Sequence, residues 1–592
     1  MSTTDRPTSR AARPRDPGHG RPGRGAGAAL ACLVVALSTS CASMPTSGPV
    51  MDGDAEVSTA VEVGFNVQGP AADAEPEQLV SGFVSVAQLG PASVSTANVA
   101  REYVQPDTWS QWDRYARVLV LAQYPEWVVP EVDDSTTTTT VSGRAEVVAT
   151  LDEGGVYTEL AEPSEVDVSY DLARDTDGQW RISGMDDGML VLANFLSDAF
   201  HRTTLYYPTP DFDWWVPDVR WFPSQSWRTE ATRELLSGPP EALAQSAVSV
   251  VPDGTTLAID AVTVDAEGVI EVPVTSAITG ATADERAMFV AQLEETLRDG
   301  EGRSVTLSDG TSPLAVTPAS EPSRPLTVGD AVAVLGPQDG QTEPVLRRVV
   351  GRELTDTPEP VDLAGLDPTA VATGPDDSST VVVRDGADRL VRVSADARSE
   401  LLRGQDVLAP SVDRFGAVWT AVDDALWAVL DDGTQVEVPA DWVGEQRLLS
   451  LRVSPEATRV AVVLDGADGA EVWVAGIERD AADVPTGLSE PLRVGGTVAS
   501  VTSADWYEES ALLLLGRDVD GARAVFLAGV GGLPGTGASR LFTSPSSPTA
   551  VAAGVGARPP MIIGEDGLLQ VRQSAALWPS VAEGVLAVAY PG

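Results

Sequence analysis

The side chains able to carry reactive chemistry are few and widely spaced. The 592-residue chain holds two cysteines, Cys32 and Cys41, two histidines, His19 and His201, and 39 basic residues, all of them arginine. Serine–histidine–aspartate catalysis, a histidine-rich metal site and a phosphohistidine relay each need an imidazole held among partners. Beyond residue 40 only His201 is left for any of them. A GxxxxGK[ST] phosphate loop needs a lysine, which this chain does not have. Carboxylates are abundant, with 87 in all and adjacent pairs at Asp423–Asp424, Asp431–Asp432 and Glu508–Glu509. Two carboxylates could serve a glycosidase, yet in so acidic a chain such pairs arise from composition. None of the acidic turns has the spacing of an EF-hand calcium loop, so no metal, cofactor or catalytic residue is assigned.

Cys41 is the exception, because of what precedes it. Residues 1–24 carry Arg6, Arg10, Arg13, Arg15, Arg21 and Arg24 against Asp5 and Asp16, and an apolar stretch from Ala26 to Leu37 follows. That stretch is well short of the ~20 residues a spanning helix needs. The layout is that of an export signal with its positive end on the cytoplasmic side. Ser38, Thr39 and Ser40 then lead into Cys41, which resembles the lipobox of bacterial lipoproteins, with Ser38 where that motif usually has Leu. The resemblance implies a leader over 1–40, a diacylglyceryl group on Cys41, and a chain held at the outer face of a cell membrane. The alternative is a plain secretory signal with an incidental Cys. With Cys41 blocked and Cys32 removed, no disulfide can form, and stability rests on buried apolar area.

The net charge of −48 is made more negative by loss of the basic leader, and such a surface repels nucleic acid and anionic headgroups. Residues 41–75 are rich in Pro, Gly, Ser, Asp and Ala and read as a flexible tether. A domain over 76–200 opens on a helix with Leu79, Phe83 and Val86 at helical spacing, stopped by Gly90 and Pro91, and a second helix ends before Pro106. Strands follow at Thr139–Leu151, Val156–Leu160 and Val166–Leu172, with Ser135–Thr140 as a polar loop that could accept sugar. Helices first and a strand meander after resemble nuclear-transport-factor-like α+β domains. In this setting Trp109 and Trp112 read as packing rather than as a ligand cage.

The segment 201–318 begins with a strand at Thr203–Tyr207. An aromatic, Pro-rich loop through Trp214, Trp215 and Trp221 follows, then a helix Thr229–Leu236 stopped by Gly238 and Pro239. A hairpin, Ala258–Val264 with Val269–Val274, precedes a long helix Asp284–Arg298 and a last strand. Ala231–Gly238, Val251–Leu257 and the hairpin resemble the GerMN domain of spore-germination proteins. The cluster Trp214, Trp215, Trp221 and Trp227 reads either as a contact surface or as core.

From 319 to 592 short strands recur in units about 40 to 50 residues apart, the period of a four-stranded propeller blade. Five units are visible, with a sixth from Leu326 to Glu353 whose partner would be the terminal strand Gly584–Tyr590. That pairing would seal the ring and remove its edges. A pair of β-sandwiches is the alternative.

Signal, lipobox, tether, nuclear-transport-factor-like domain, GerMN-like domain and C-terminal β-propeller, in this order, resemble the actinobacterial LpqB lipoproteins, as does the mature start Cys41-Ala42-Ser43-Met44-Pro45-Thr46. The absence of lysine and the wealth of Ala, Gly and Val fit a high-GC actinobacterium. The resemblance implies a non-enzymatic accessory of a two-component system of the MtrA/MtrB type, binding the extracellular domain of the sensor kinase MtrB in cell-wall homeostasis and division. A wall-glycan- or peptide-binding propeller lipoprotein is the alternative, and a propeller hydrolase a third.

Overall fold

The computed structural model describes residues 67–592 apart from 299–303, 319, 338–341, 376–379, 467–468, 497, 519, 534–537 and 542–546. Cys41 and residues 42–66 of the expected tether lie outside them, while its last residues, 67–75, pack on the first domain, the Tyr103 hydroxyl donating to the Gln68 carbonyl at 2.8 Å. In the first domain, α1 (Pro76–Ala87) starts with Pro at its first turn, where a missing N–H costs nothing. It buries Leu79, Val80, Phe83 and Val84 along one stripe. Helix α2 (Val94–Arg101) is capped by Ser93, whose hydroxyl accepts the Thr96 amide at 3.2 Å. Pro106 starts a third helix, α3 (Pro106–Gln111), where the sequence suggested only a helix stop.

Six strands then form a sheet, five of them along its path: β1 (Arg117–Leu121), β2 (Thr138–Asp152), β3 (Tyr157–Arg174), β4 (Trp180–Met185) and β5 (Met189–Leu192), with the short strand Trp127–Val128 paired antiparallel to β2. Their order is β4-β3-β2-β1-β5, antiparallel except for β1 with β5. Strand β3 is continuous where two strands were expected. The Thr run is also no simple loop: Thr138–Thr140 belong to β2, and the Thr140 hydroxyl donates to Asp171 at 2.7 Å. Phe83 packs on Trp112 and Tyr170 with ring centroids 5.6 and 5.8 Å away, so these aromatics fill the space between α1 and the sheet.

The second domain begins with a ribbon of β6 (Phe200–Pro208) and β7 (Trp215–Pro223), paired along their whole lengths. The expected aromatic loop is thus mostly strand. A two-stranded ribbon tolerates Pro217 and Pro223 because both of its strands are edges. Helix α4 (Trp227–Ser237) ends at Gly238, whose φ of 88° only glycine adopts readily. Of the expected first hairpin strand only β8 (Thr263–Val264) is regular. It pairs antiparallel with β9 (Ile270–Pro273), which pairs in parallel with β10 (Val305–Ser308). A parallel pair needs a crossover, supplied by α5 (Ala283–Leu297) with a capping box of Thr282 and Glu285.

The rest of the chain is a closed six-bladed propeller. Five sheets follow one another in sequence, and a sixth joins Ala331–Leu335, Val345–Val350 and Glu353–Leu354 to the terminal strand Val585–Ala589. The registers Val332↔Ala589 and Val334↔Ala587 fix that closure. The innermost strands are Val585–Ala589, Pro368–Thr373, Ser411–Val412, Arg447–Val453, Ala499–Glu508 and Pro548–Ala552. Each touches the next round the ring. Blade cores such as Val460, Val462 and Leu464 against Leu426 and Trp419 lie between neighbouring sheets, as stacked blades require.

Candidate functional site

The side chains singled out for chemistry are dispersed. His201, on β6, stacks on Trp227 with centroids 4.2 Å apart and planes at 20°, a packing contact. Asp423 and Asp424 both take positive φ at a hairpin turn, and Asp424 accepts the Leu448 amide at 3.0 Å. Asp432 accepts the Thr434 amide at 2.8 Å, and Asp431 pairs with Arg392. These carboxylates shape turns. Among the described residues no group of three or more His, Cys, Asp or Glu is placed to hold a metal ion, and no helix is long and apolar enough to cross a membrane.

What the structure concentrates instead is a seam. The β6–β7 ribbon is wedged between the first domain and the propeller, and its Trp215 and Trp221 face inward, each 1% exposed, as does Trp227 at the start of α4, 6% exposed. The Trp221 indole donates to the Gly531 carbonyl at 2.8 Å, in a loop of the fifth blade, while its backbone amide donates to Gly155 of the first domain at 2.9 Å. The Arg202 guanidinium donates to Gly532 at 3.0 Å. Gly531 and Gly532 both have positive φ, and a Cβ on Gly532 would sit 2.5 Å from the Tyr157 ring. Only glycine permits that approach. Of the two readings of this cluster, core packing holds for Trp215, Trp221 and Trp227, while Trp214 is half-buried.

Further contacts extend the seam. The Tyr206 hydroxyl donates to the Glu509 carboxylate, and Glu509 in turn offers its carbonyl to Arg459 at 2.7 Å. Burial, reinforced by Glu509, pushes the Tyr206 hydroxyl above the usual tyrosine range. Glu508–Glu509, one of the acidic pairs, thus acts at this seam through Glu509. Arg414 pairs with Asp211 at 2.6 Å, and the Ser246 hydroxyl donates to the Ile477 carbonyl at 2.8 Å. Asp218, paired with Arg220 at 2.8 Å, is pushed up by burial, with Arg220 opposing.

Glu159 of the first domain is 7% exposed and accepts the Gly496 amide of the propeller at 2.6 Å. Burial raises its carboxyl pKa, opposed by that amide and by Arg493. A carboxyl whose folded pKa exceeds its unfolded one binds its proton more tightly when folded. Stability therefore falls as pH rises from the unfolded to the folded value, and the loss persists above it. Glu159→Gln, which keeps an acceptor for Gly496, is expected to be more resistant to urea than the parent at pH 7. The difference should vanish in acid below the ordinary glutamate range, as urea titrations across pH would show.

No local pattern announced the seam, because its partners lie some 300 positions apart in the chain, as Trp221 and Gly531 do. The adjacent glycines Gly531 and Gly532 were its one sequence signal.

Comparison with known proteins agrees with this architecture. Residues 69–197 match the family model described as the lipoprotein LpqB N-terminal domain, 204–311 the one described as sporulation and spore germination, and 345–591 the one described as the lipoprotein LpqB beta-propeller domain. Relatives named Lipoprotein LpqB include one from Bifidobacterium longum, 26% identical over 82% of this chain and 84% of its own. One from Cutibacterium acnes is 26% identical over 95% and 98%, and one from Mycobacterium bovis 26% over 88% and 90%. With three successive family models and full-length relatives all pointing one way, the chain belongs to the actinobacterial LpqB lipoprotein family.

Proposed function

We propose that this protein is a lipid-anchored, non-enzymatic accessory at the outer face of the cytoplasmic membrane. It binds the extracytoplasmic domain of an MtrB-type sensor kinase and modulates signalling to MtrA in cell-wall homeostasis and division. The observation that carries the reading is the LpqB architecture over nearly the whole chain, with its three folded parts joined by a polar seam rather than arranged round a reactive centre. A body of that kind, on a lipid tether, suits recognition of another membrane protein. The test is calorimetry between the full mature chain in detergent and the kinase's extracytoplasmic domain. Saturable binding at micromolar concentration is expected, and no heat or pull-down at high micromolar concentration would overturn the reading.

Anchoring has its own test. Cys41→Ala is expected to move the protein from the membrane fraction to the medium, or to leave the leader uncut, with loss of label from a clickable fatty acid. An unchanged membrane association would place the anchor elsewhere.

A further inference from the structure

A second feature of the GerMN-like domain takes no part in the seam. An open cleft of about 1010 Å³ lies between the C-terminal end of α4 and the stretch 247–257. Its walls come from Ala231–Gly238 and Val251–Leu257, the same segments that carry the GerMN resemblance, so those segments converge on one surface. Along one wall the chain runs from Val248 to Val251 without belonging to any sheet. Val248 is tied inward, its amide donating to the Pro208 carbonyl at 3.0 Å, and Val250 is buried in the core. Ser249 and Val251 line the cleft, and among the described residues their amides have no backbone hydrogen-bond partner.

In an extended chain alternate residues present their N–H groups to the same side. With the Val248 amide engaged by Pro208, the unpaired amides beside the cleft are those of Ser249 and Val251. Unpaired strand-like backbone beside a cleft is what an incoming extended peptide needs in order to add a strand. Leu236, Pro239 and Leu257 supply an apolar lining for its alternate side chains. The rim is acidic: Asp253 is exposed, Asp260 is exposed and pairs with Arg233 at 2.5 Å, and Arg233 also pairs with Glu230. Among the described residues the one cation at the rim, Arg233, is thus already engaged by two carboxylates, and Asp253 adds to a chain of net charge −48.

We infer that this cleft binds an extended peptide segment bearing basic side chains, which pairs with the backbone of Ser249–Val251 as an added strand and meets Asp253 with a cationic residue. The inference is independent of the kinase reading. The probe is a fluorescein-labelled decapeptide of alternating Arg and Val, titrated against the full mature chain in detergent and read by anisotropy. Three companions are an Glu-for-Arg peptide, the same Arg peptide N-methylated at alternate amides, and a soluble wall-glycan fragment as competitor. Saturable binding of the basic peptide is expected, with the acidic and N-methylated forms at least tenfold weaker. Ser249→Pro, which removes one amide, should weaken binding by a similar factor. Asp253→Arg, an exposed change that leaves the fold alone, should weaken it about fivefold, the range of an exposed charge pair. Equal binding of the N-methylated peptide, or binding indifferent to both substitutions, overturns the proposal. So does binding of the glycan fragment, read by calorimetry, with no peptide response, or no binding of any peptide at 1 mM.

Discussion

A chain cut after Gly584 is expected to lose its closed propeller. The missing strand, Val585–Ala589, is the innermost strand of the first blade and pairs with Ala331–Leu335. Its two faces serve two different cores. Val585, with Tyr590 just beyond it, packs among Met561, Ile563 and Leu569 of the preceding blade. Ala587 and Ala589 pack with Val371, Val381 and Val383 of the following one. Removing it strips both seams of apolar contact and bares the edge of Ala331–Leu335. At roughly 1.5–3 kcal/mol for a fully buried Val-sized side chain, the loss over the strand and Tyr590 is on the order of 5–10 kcal/mol, comparable to the whole stability of a domain. Hydrogen exchange is expected to show full loss of protection in 331–354 and 548–582, with the first domain spared. An unchanged exchange pattern would mean that the ring is held by other contacts.

The second large effect is expected at Arg459→Met. Arg459 and Glu456 are an ion pair at 2.7 Å with side chains 3% and 0% exposed. The same guanidinium donates to the Glu509 carbonyl at 2.7 Å and lies 4.6 Å from the centroid of the Trp506 ring. Methionine fills similar space but leaves Glu456 as a buried charge supported, among the described residues, by the Thr458 hydroxyl alone. Breaking one side of such a pair costs about 3–5 kcal/mol, whereas replacing both partners can be nearly neutral. Urea denaturation should therefore show a large loss for Arg459→Met and recovery of most of it in the double variant with Glu456→Leu. A single-variant loss below about 1 kcal/mol would contradict this account. Because Glu509 also receives the Tyr206 hydroxyl of β6, the single variant should make the turn joining β6 to β7 more open to protease.

Much of the architecture was legible because it rests on local chemistry. Leu79, Phe83 and Val86 announce α1 by spacing alone, and the apolar run at the chain's end was a strand in search of a partner that a ring supplies. Other elements were hidden for stated reasons. Pro217 and Pro223 made β7 look like a loop, since proline argues against a strand everywhere except at an edge. Pro106 looked like a terminator although proline equally begins a helix. Asp423 and Asp424 read as products of an acidic composition, and their positive φ adds what the sequence did not show, a turn that they shape. The seam was least legible of all. Trp221 and Arg202 find carbonyls, at Gly531 and Gly532, that no side-chain pattern encodes, and a backbone oxygen leaves no trace in sequence.

The pairing of Ala331–Leu335 with Val585–Ala589 also sets an order of events in time. A chain that emerges from its N-terminal end delivers the first blade roughly 250 residues before that blade's innermost strand, so the earliest strands of the ring wait with an open edge until the very last ones arrive. Contacts so distant in sequence form slowly. The propeller is thus a natural checkpoint: only a molecule delivered whole closes, and a product released early carries a sticky, unfinished sheet that quality-control proteases can recognise.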